Sequence, residues 1–266
     1  MAGRFEGKQA LILGVANKRS IAWAIAQRLH GEGAKLAFTF QGERIEKAVR
    51  DLADSVDGVV VGECDVRSED DLDRVFAATG EAFGGGLDGL VHSVAFAAAE
   101  DLEGRFIDTP SDRFWMAVDI SAYSLVAAAR RAEPLMQARE GGSILTMTYL
   151  GGVRAVPHYN VMGVAKATLD MSMRYLSWDL GASNIRINAI SAGPVRTLAA
   201  RSIAGFTTME EMFEKRAPLH RHMDAEDCGG AAAYLLSEDG RNVTGTTLYV
   251  AQGSINRDVV VIRGFK

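Results

Sequence analysis

Lys8-Gln9-Ala10-Leu11-Ile12-Leu13-Gly14-Val15-Ala16-Asn17-Lys18-Arg19-Ser20-Ile21-Ala22 sets an apolar run against a glycine, a short polar loop and the start of a second apolar segment. The run has strand length, and from Ser20 to Gly31 the apolar residues recur at helical spacing with Gly33 just beyond. Strand, glycine turn and helix in this order make half of a nucleotide fold. The first helical turn leaves N–H groups unpaired and carries the positive end of the helix dipole, which suits a pyrophosphate. Gly14 lets the backbone approach closely, Ser20 is placed to cap the helix or contact a phosphate oxygen, and Ile21 and Ala22 form the wall behind. The spacing is not G-x-G-x-x-G, so an ordinary tight turn remains the plainer reading of the loop taken alone.

Outward from this unit the same alternation continues. Strands are expected over 35–40, 59–64, 87–92, 143–148, 185–191 and 247–250, and helices over 43–55, 68–83, 111–136 (capped by Ser111), 159–181, 209–215 and 224–236, with a loop over 95–109. Strands separated by helices imply right-handed crossovers, hence an α/β doubly wound, Rossmann-type parallel sheet of about seven strands. The chain 1–266 reads as one domain, in which the excursion at about 193–216 is placed to cover a site.

At 266 residues the chain can bury roughly 75% of its unfolded surface without a covalent staple. Its two cysteines, Cys64 and Cys228, give neither a disulfide framework nor a C-x-x-C spacing, which suits a reducing cytoplasm. No run of about 18 apolar residues occurs and the opening seven residues lack a signal-peptide apolar stretch, so a cytoplasmic protein with no membrane partner is expected. A net charge of -5 with both signs intermixed argues against general nucleic-acid binding.

In such sheets ligands sit beyond the carboxyl ends of the strands. The second strand ends in Gln41, where a dinucleotide fold often places an acid for the adenosine 2′-hydroxyl or a cation for a 2′-phosphate. Arg44 and Lys47 follow, but Glu43 would repel a phosphate, so NADH is expected rather than NADPH. After the strand over 143–148 come Tyr149, Tyr159 and Lys166. Tyr159 and Lys166 are seven residues apart, two helical turns, and share a face. A phenol of pKa about 10 keeps its proton at neutral pH and can donate to a developing oxyanion beside a cation. Each has a plainer reading alone, as a helix-start aromatic and a solvated lysine.

Gly14-Val-Ala-Asn-Lys-Arg-Ser20-Ile-Ala22, Cys64-Asp65-Val66, His92-Ser93-Val-Ala95-Phe96, Asp119-Ile120-Ser-Ala-Tyr-Ser124, the Tyr149/Tyr159/Lys166 set and Gly193-Pro194-Val-Arg-Thr197-Leu-Ala199-Ala200 together resemble the NADH-dependent enoyl-acyl carrier protein reductases of bacterial fatty-acid synthesis, in the short-chain dehydrogenase/reductase superfamily. The resemblance runs from about residue 5 to residue 250, and its most specific part is Tyr-x6-Lys with a tyrosine ten residues upstream. It implies hydride transfer to the β-carbon of a trans-2-enoyl thioester, with Tyr159 donating to the enolate, Lys166 holding the nicotinamide ribose and Tyr149 lining the acyl pocket. It further implies cofactor contacts at Gly14, Ser20, Ile21, Gln41, Asp65, Val66, Ser93, Ala95, Ile120, Pro194 and Thr197, and acyl contacts at Met162, Ala199 and Phe206. Asp65 has a plainer reading as a turn cap, and Ile120, Met162 and Phe206 as core.

The resemblance implies an acyl carrier protein partner and a homotetramer. Between Arg196 and His222 five basic residues (Arg196, Arg201, Lys215, Arg216, Arg221) stand against three acids (Glu210, Glu211, Glu214), and part of this rim is a candidate dock for the acidic carrier. His92, His158, His220 and His222 form no H-E-x-x-H or comparable set, so no metal is expected. Val250-Ala251-Gln252-Gly253 departs from the family's Val-Asp-Gly-Gly, and the tail 256–266 is a candidate for packing on a neighbouring subunit. Two rivals remain: a ketoreductase of the same superfamily, whose Tyr-x3-Lys pattern would need a lysine at Gly163 and a serine near Thr146, and a non-catalytic NAD-binding sensor.

Overall fold

A computed structural model describes residues 3–197, 200 and 206–254. Among them seven strands form one parallel sheet: β1 (Gln9–Leu13), β2 (Lys35–Phe40), β3 (Val59–Glu63), β4 (Gly89–His92), β5 (Gly142–Thr148), β6 (Ile185–Ala192) and β7 (Thr247–Val250), in the order β3-β2-β1-β4-β5-β6-β7. The helices are α1 (Ile21–Gly31), α2 (Glu43–Asp54), α3 (Glu69–Ala82), α4 (Ala99–Glu103), α5 (Ser111–Val118), α6 (Ser124–Gln137), α7 (Asn160–Leu180), α8 (Phe206–Arg216) and α9 (Ala225–Leu236).

The central strands are apolar runs because both of their faces are covered. On β1, Ala10 and Ile12 enter one core with Trp23, Ile25 and Leu29 of α1 and Leu235 of α9. Leu11 and Leu13 point the other way, into a core with Val75 and Phe76 of α3, Leu125 of α6 and Leu169 of α7. Removing the Leu169 side chain, fully buried between α7 and the sheet, would cost about 2–5 kcal/mol. Helix starts are fixed by local chemistry: Ser68 accepts the Asp71 N–H at 3.1 Å ahead of α3, and Asp224 forms a reciprocal capping box with Asp227 at α9.

Four details correct the sequence reading. The helix expected over 111–136 is α5, a π-helical turn over Asp119–Tyr123, and α6. Ser124 Oγ donates to the Ile120 carbonyl at 2.7 Å, and Ser121 Oγ accepts the Phe96 N–H at 3.0 Å, so side-chain bonds hold the widened turn. Ser111 is the first helical residue and Pro110 takes the cap position without a side-chain bond. The stretch expected as a loop over 95–109 contains α4 and a 3-10 turn over Phe106–Asp108, and α8 starts at Phe206 rather than at residue 209.

Since every strand is parallel, the segments that follow them gather at one edge of the sheet. Strand order reverses between β1 and β4, and there the chain runs close to itself: Gly14 has φ +99°, and a Cβ on it would lie 2.1 Å from the Ser93 carbonyl oxygen. Only glycine meets both demands.

Candidate active site

The loop after β1 is shaped from within. Ser20 Oγ accepts the amides of Ala16 at 3.1 Å and Asn17 at 3.2 Å, and Asn17 Oδ1 accepts that of Arg19 at 2.8 Å. Ser20 therefore does not cap α1 with its side chain, contrary to one expectation; it folds the loop back so that Ile21 and Ala22 head the helix. A loop pinned this way beside Gly14, opening onto a helix start, fits the pyrophosphate of a dinucleotide.

Gln41 is exposed just past β2, and the next amide, Gly42, donates to Glu63 Oε1 at 3.0 Å. That carboxylate, with Glu43 two residues beyond Gln41 in sequence, puts negative charge beside the end of β2. Asp65 is tied to Arg67 at 2.9 Å, which holds its carboxyl below the usual range, while Val66 is buried. Asp65 Oδ1 also accepts the Arg67 amide at 3.0 Å, which caps the turn into the next helix, while Ser68 caps the helix itself. Ser93 is half-buried, Ala95 exposed, and Ile120 is packed partly against the α6–α7 core. Beyond β6, Pro194 is buried and Thr197 Oγ1 accepts the Ala200 amide at 3.1 Å.

Across the cleft edge, the Tyr149 and Tyr159 rings meet edge to face, with centroids 4.8 Å apart and an interplanar angle of 60°. Gly151 makes this possible, since a Cβ there would fall 2.3 Å from Tyr159 Cδ1. Tyr159 occupies the cap position of α7 rather than its first turn. Asn160 follows with φ +36°, and its Nδ2 reaches the carbonyls of Asp101 (3.0 Å), Leu102 (3.2 Å) and Gly104 (2.7 Å), tying the head of α7 to the end of α4. Lys166 is buried and its ammonium donates to the Met147 carbonyl at 2.7 Å.

Burial governs the protonation of these groups. It pushes the Tyr159 phenol up, with Tyr149 and Asp170 adding to the shift, and raises Tyr149 as well. It lowers Lys166 to about 8, against an opposing contribution from Asp170. His92, buried on β4 between Thr146 Oγ1 (3.1 Å) and Ser124 Oγ (2.8 Å), is lowered to about 3, first by burial and then by Lys166, and stays neutral. Two hydrogen-bond donors with retained protons thus stand at the carboxyl end of β5, beside a dinucleotide cradle.

A family model described as enoyl-(acyl carrier protein) reductase matches residues 14–254. The chain belongs to this reductase family. A Bacillus cereus protein named enoyl-acyl-carrier-protein reductase (NADH) is 49% identical over 250 residues, covering 93% of this chain and 96% of that one. The crystal structure of the Bacillus cereus enoyl-acyl carrier protein reductase with NADP+ and indole naphthyridinone superposes with TM-score 0.93 at 46% identity, over 97% of this chain and 100% of that chain. The Anaplasma phagocytophilum enoyl-acyl carrier protein reductase in complex with NAD gives 0.92 at 44% identity, over 97% and 98%.

Several features of this reductase carried no signal that sequence spacing could read. A Cβ on Gly163 would lie 2.9 Å from the Gly151 carbonyl oxygen, so a ketoreductase-type lysine at that position would force the packed backbone to shift. Asn160 and Asp170 look like ordinary helix residues, and only the folded chain shows what they touch. Met162 packs with Leu102, Ala165 and Tyr159, as its core reading expects. Phe206 opens α8, half-buried, whereas Ala199 and Arg201 lie outside the described residues, as does the tail 256–266.

Arg196, counted among the rim cations of the reductase, is committed to Glu210 on α8, with its Nε 2.8 Å from Oε1 and 2.6 Å from Oε2. Glu210, Glu214 and His222 bring ligand atoms within 4.8 Å of one another, but this group is held by Arg196 and by the 2.7 Å His222–Glu214 bond. The atypical end closes on itself: Ala251 is buried, and Gln252, at φ +52°, donates to the Arg221 carbonyl at 2.8 Å.

Proposed function

We propose that this protein is an NADH-dependent oxidoreductase that saturates the carbon–carbon double bond of a trans-2-enoyl thioester on acyl carrier protein during fatty-acid elongation. The Tyr159–x6–Lys166 pair carries this reading, with its phenol and ammonium buried beyond β5 in a chain of the reductase family. NADH, when bound, supplies the hydride for the β-carbon. Tyr159 donates to the thioester oxygen, where negative charge develops, and such a donor typically lowers a barrier by about 3–4 kcal/mol. Lys166 holds the nicotinamide ribose hydroxyls and adds positive field near that oxygen. Tyr149, Met162, Ala199 and Phe206 line the acyl chain. The cofactor lies along Gly14, Ser20, Ile21, Gln41, Asp65, Val66, Ser93, Ala95, Ile120, Pro194 and Thr197.

The whole chain acts as one catalytic domain in the cytoplasm, with 193–216 covering the site. No described helix is long and apolar enough to cross a membrane. The carrier docks on the exposed Lys215, Arg216 and Arg221, without Arg196. The enzyme works as a homotetramer. Supporting this, the outer face of α5 and α7 shows Trp115 at 64%, Tyr175 at 69% and Trp178 at 85% exposure, large apolar groups of the kind that a second copy covers.

Ketone reduction is disfavoured by the packing of Gly163 under Gly151. The discriminating experiment follows NADH oxidation with a crotonyl thioester and with an acetoacetyl thioester. Turnover with the first alone is expected. Turnover with the second, or with neither despite tight NADH binding, contradicts the proposal, and the latter would indicate a sensor.

A further inference from the structure

Asp170 lies on α7 one turn beyond Lys166, so the two side chains share a face of the helix. Each is only 5% exposed. A carboxylate this deep is rare unless something compensates its charge. Its Oδ1 has no hydrogen-bond partner among the described residues, and the Thr148 hydroxyl faces the carboxyl from the end of β5. Gly152 closes the remaining side: a Cβ on it would stand 3.1 Å from Asp170 Oδ2 and 2.9 Å from the Lys166 carbonyl carbon. The carboxyl is therefore sealed between β5, α7 and the turn that carries Tyr149.

The charged and titratable groups facing it are few. Lys166 and Arg174 come from α7, Tyr159 from the head of that helix, and the Thr148 hydroxyl from β5. Lys166 in turn faces His92 on β4, which is neutral, and Tyr159 faces Tyr149. Among the described residues, Asp170 is the one acid acting on both the phenol and the ammonium of the site.

We propose that Asp170 is a positioning residue whose buried negative charge keeps the Lys166 ammonium protonated beside the Tyr159 phenol. A negative charge in the interior resists loss of a proton from any neighbour, and low surrounding polarity strengthens the effect. Burial raises the Asp170 carboxyl itself, while the Thr148 hydroxyl, Lys166 and Arg174 draw it back towards ionisation. Lys166 stands at about 8 even with this support. Without it the ammonium would give up its proton at lower pH still, and the phenol would lose one of the contributions that add to burial.

This inference rests on the proposed roles of Tyr159 and Lys166. Its test compares Asp170→Asn, which keeps the shape and removes the charge, with Asp170→Glu, which keeps the charge. The readouts are the basic limb of the kcat/KM–pH profile and, independently of turnover, the pH dependence of the NADH dissociation constant. In Asp170→Asn both midpoints should move down by about one pH unit or more, and Asp170→Glu should restore them. Unmoved midpoints in a folded Asp170→Asn protein overturn the proposal. If that variant does not fold, the 13C-carboxyl resonance of Asp170 in the unliganded wild-type protein decides. A second titration step at the Lys166 midpoint, absent from Lys166→Met, is expected, and a single step overturns it. Failure of the proposed function would appear elsewhere, as full turnover in Tyr159→Phe and Lys166→Ala, so the two failures are distinguishable.

Discussion

Tyr149 stands edge-on to Tyr159 with ring centroids 4.8 Å apart, and this contact exists because position 151 between them is glycine. In Gly151→Ala the new methyl would meet Tyr159 Cδ1 at 2.3 Å, so the ring must turn. Displacing a donor by about 1 Å can cost about 10²-fold in rate. Gly151→Ala should therefore lower kcat by at least about tenfold while the thermal midpoint shifts by only a few degrees. Steady-state kinetics beside a melting curve check this, and an unchanged kcat would mean that the ring position is unimportant.

His92 gives the protein an acid-sensitive core. Its folded pKa of about 3 lies below the ordinary 6.5, so between those values the unfolded chain binds a proton that the native state refuses. The His92 contribution is level above pH 6.5 and falls as pH drops towards 3, at up to about 1.4 kcal/mol per pH unit. Urea unfolding at pH 7, 6 and 5 should show this loss, and His92→Gln should flatten it. Equal slopes in both proteins would contradict the assignment.

Asn160 points an amide at three carbonyls from a left-handed backbone position. Asn160→Asp turns donors into acceptors facing acceptors, whereas Asn160→Gly keeps the backbone and deletes the bonds. The aspartate variant should be the less stable of the two by about 1–3 kcal/mol. It should also show the lower kcat, because the residue beside it is Tyr159. Thermal melts and kinetics on both variants test the order; glycine as the worse substitution would contradict it.

Glu63 and Glu43 set the expected cofactor preference. With Glu63 fixed on the Gly42 amide, a 2′-phosphate would meet negative charge, so kcat/KM with NADH should exceed that with NADPH by at least about tenfold. Glu63→Gln should narrow the gap. A tenfold preference for NADPH in the wild type would reject this account of the adenosine end.

The sheet was legible because its strands are short apolar runs separated by helical spacing, and β2 and β7 fall where the sequence places them. The π-helical turn was not, since the apolar period carries through Asp119–Tyr123 and one of the two bonds that hold it comes from Phe96, far away in sequence. Tyr149, Tyr159 and Lys166 could be singled out because their chemistry is conspicuous and their spacing unusual. Gly151, Gly152 and Asp170 could not, because their importance lies in what a missing Cβ or a buried carboxyl touches after folding. Of the two roles read for Ser20, the side-chain cap fails: its hydroxyl serves the loop before it and not the helix after it.

The measurement closest to the central claim compares Tyr159→Phe and Lys166→Ala with the wild type, recording kcat on a crotonyl thioester and the NADH dissociation constant by fluorescence. Tyr159→Phe should lower kcat by at least about tenfold and leave NADH binding within about twofold, while Lys166→Ala should weaken NADH binding by about tenfold or more. Near-wild-type turnover in both variants would contradict the assignment of Tyr159 as donor to the developing enolate and of Lys166 as its partner at the cofactor.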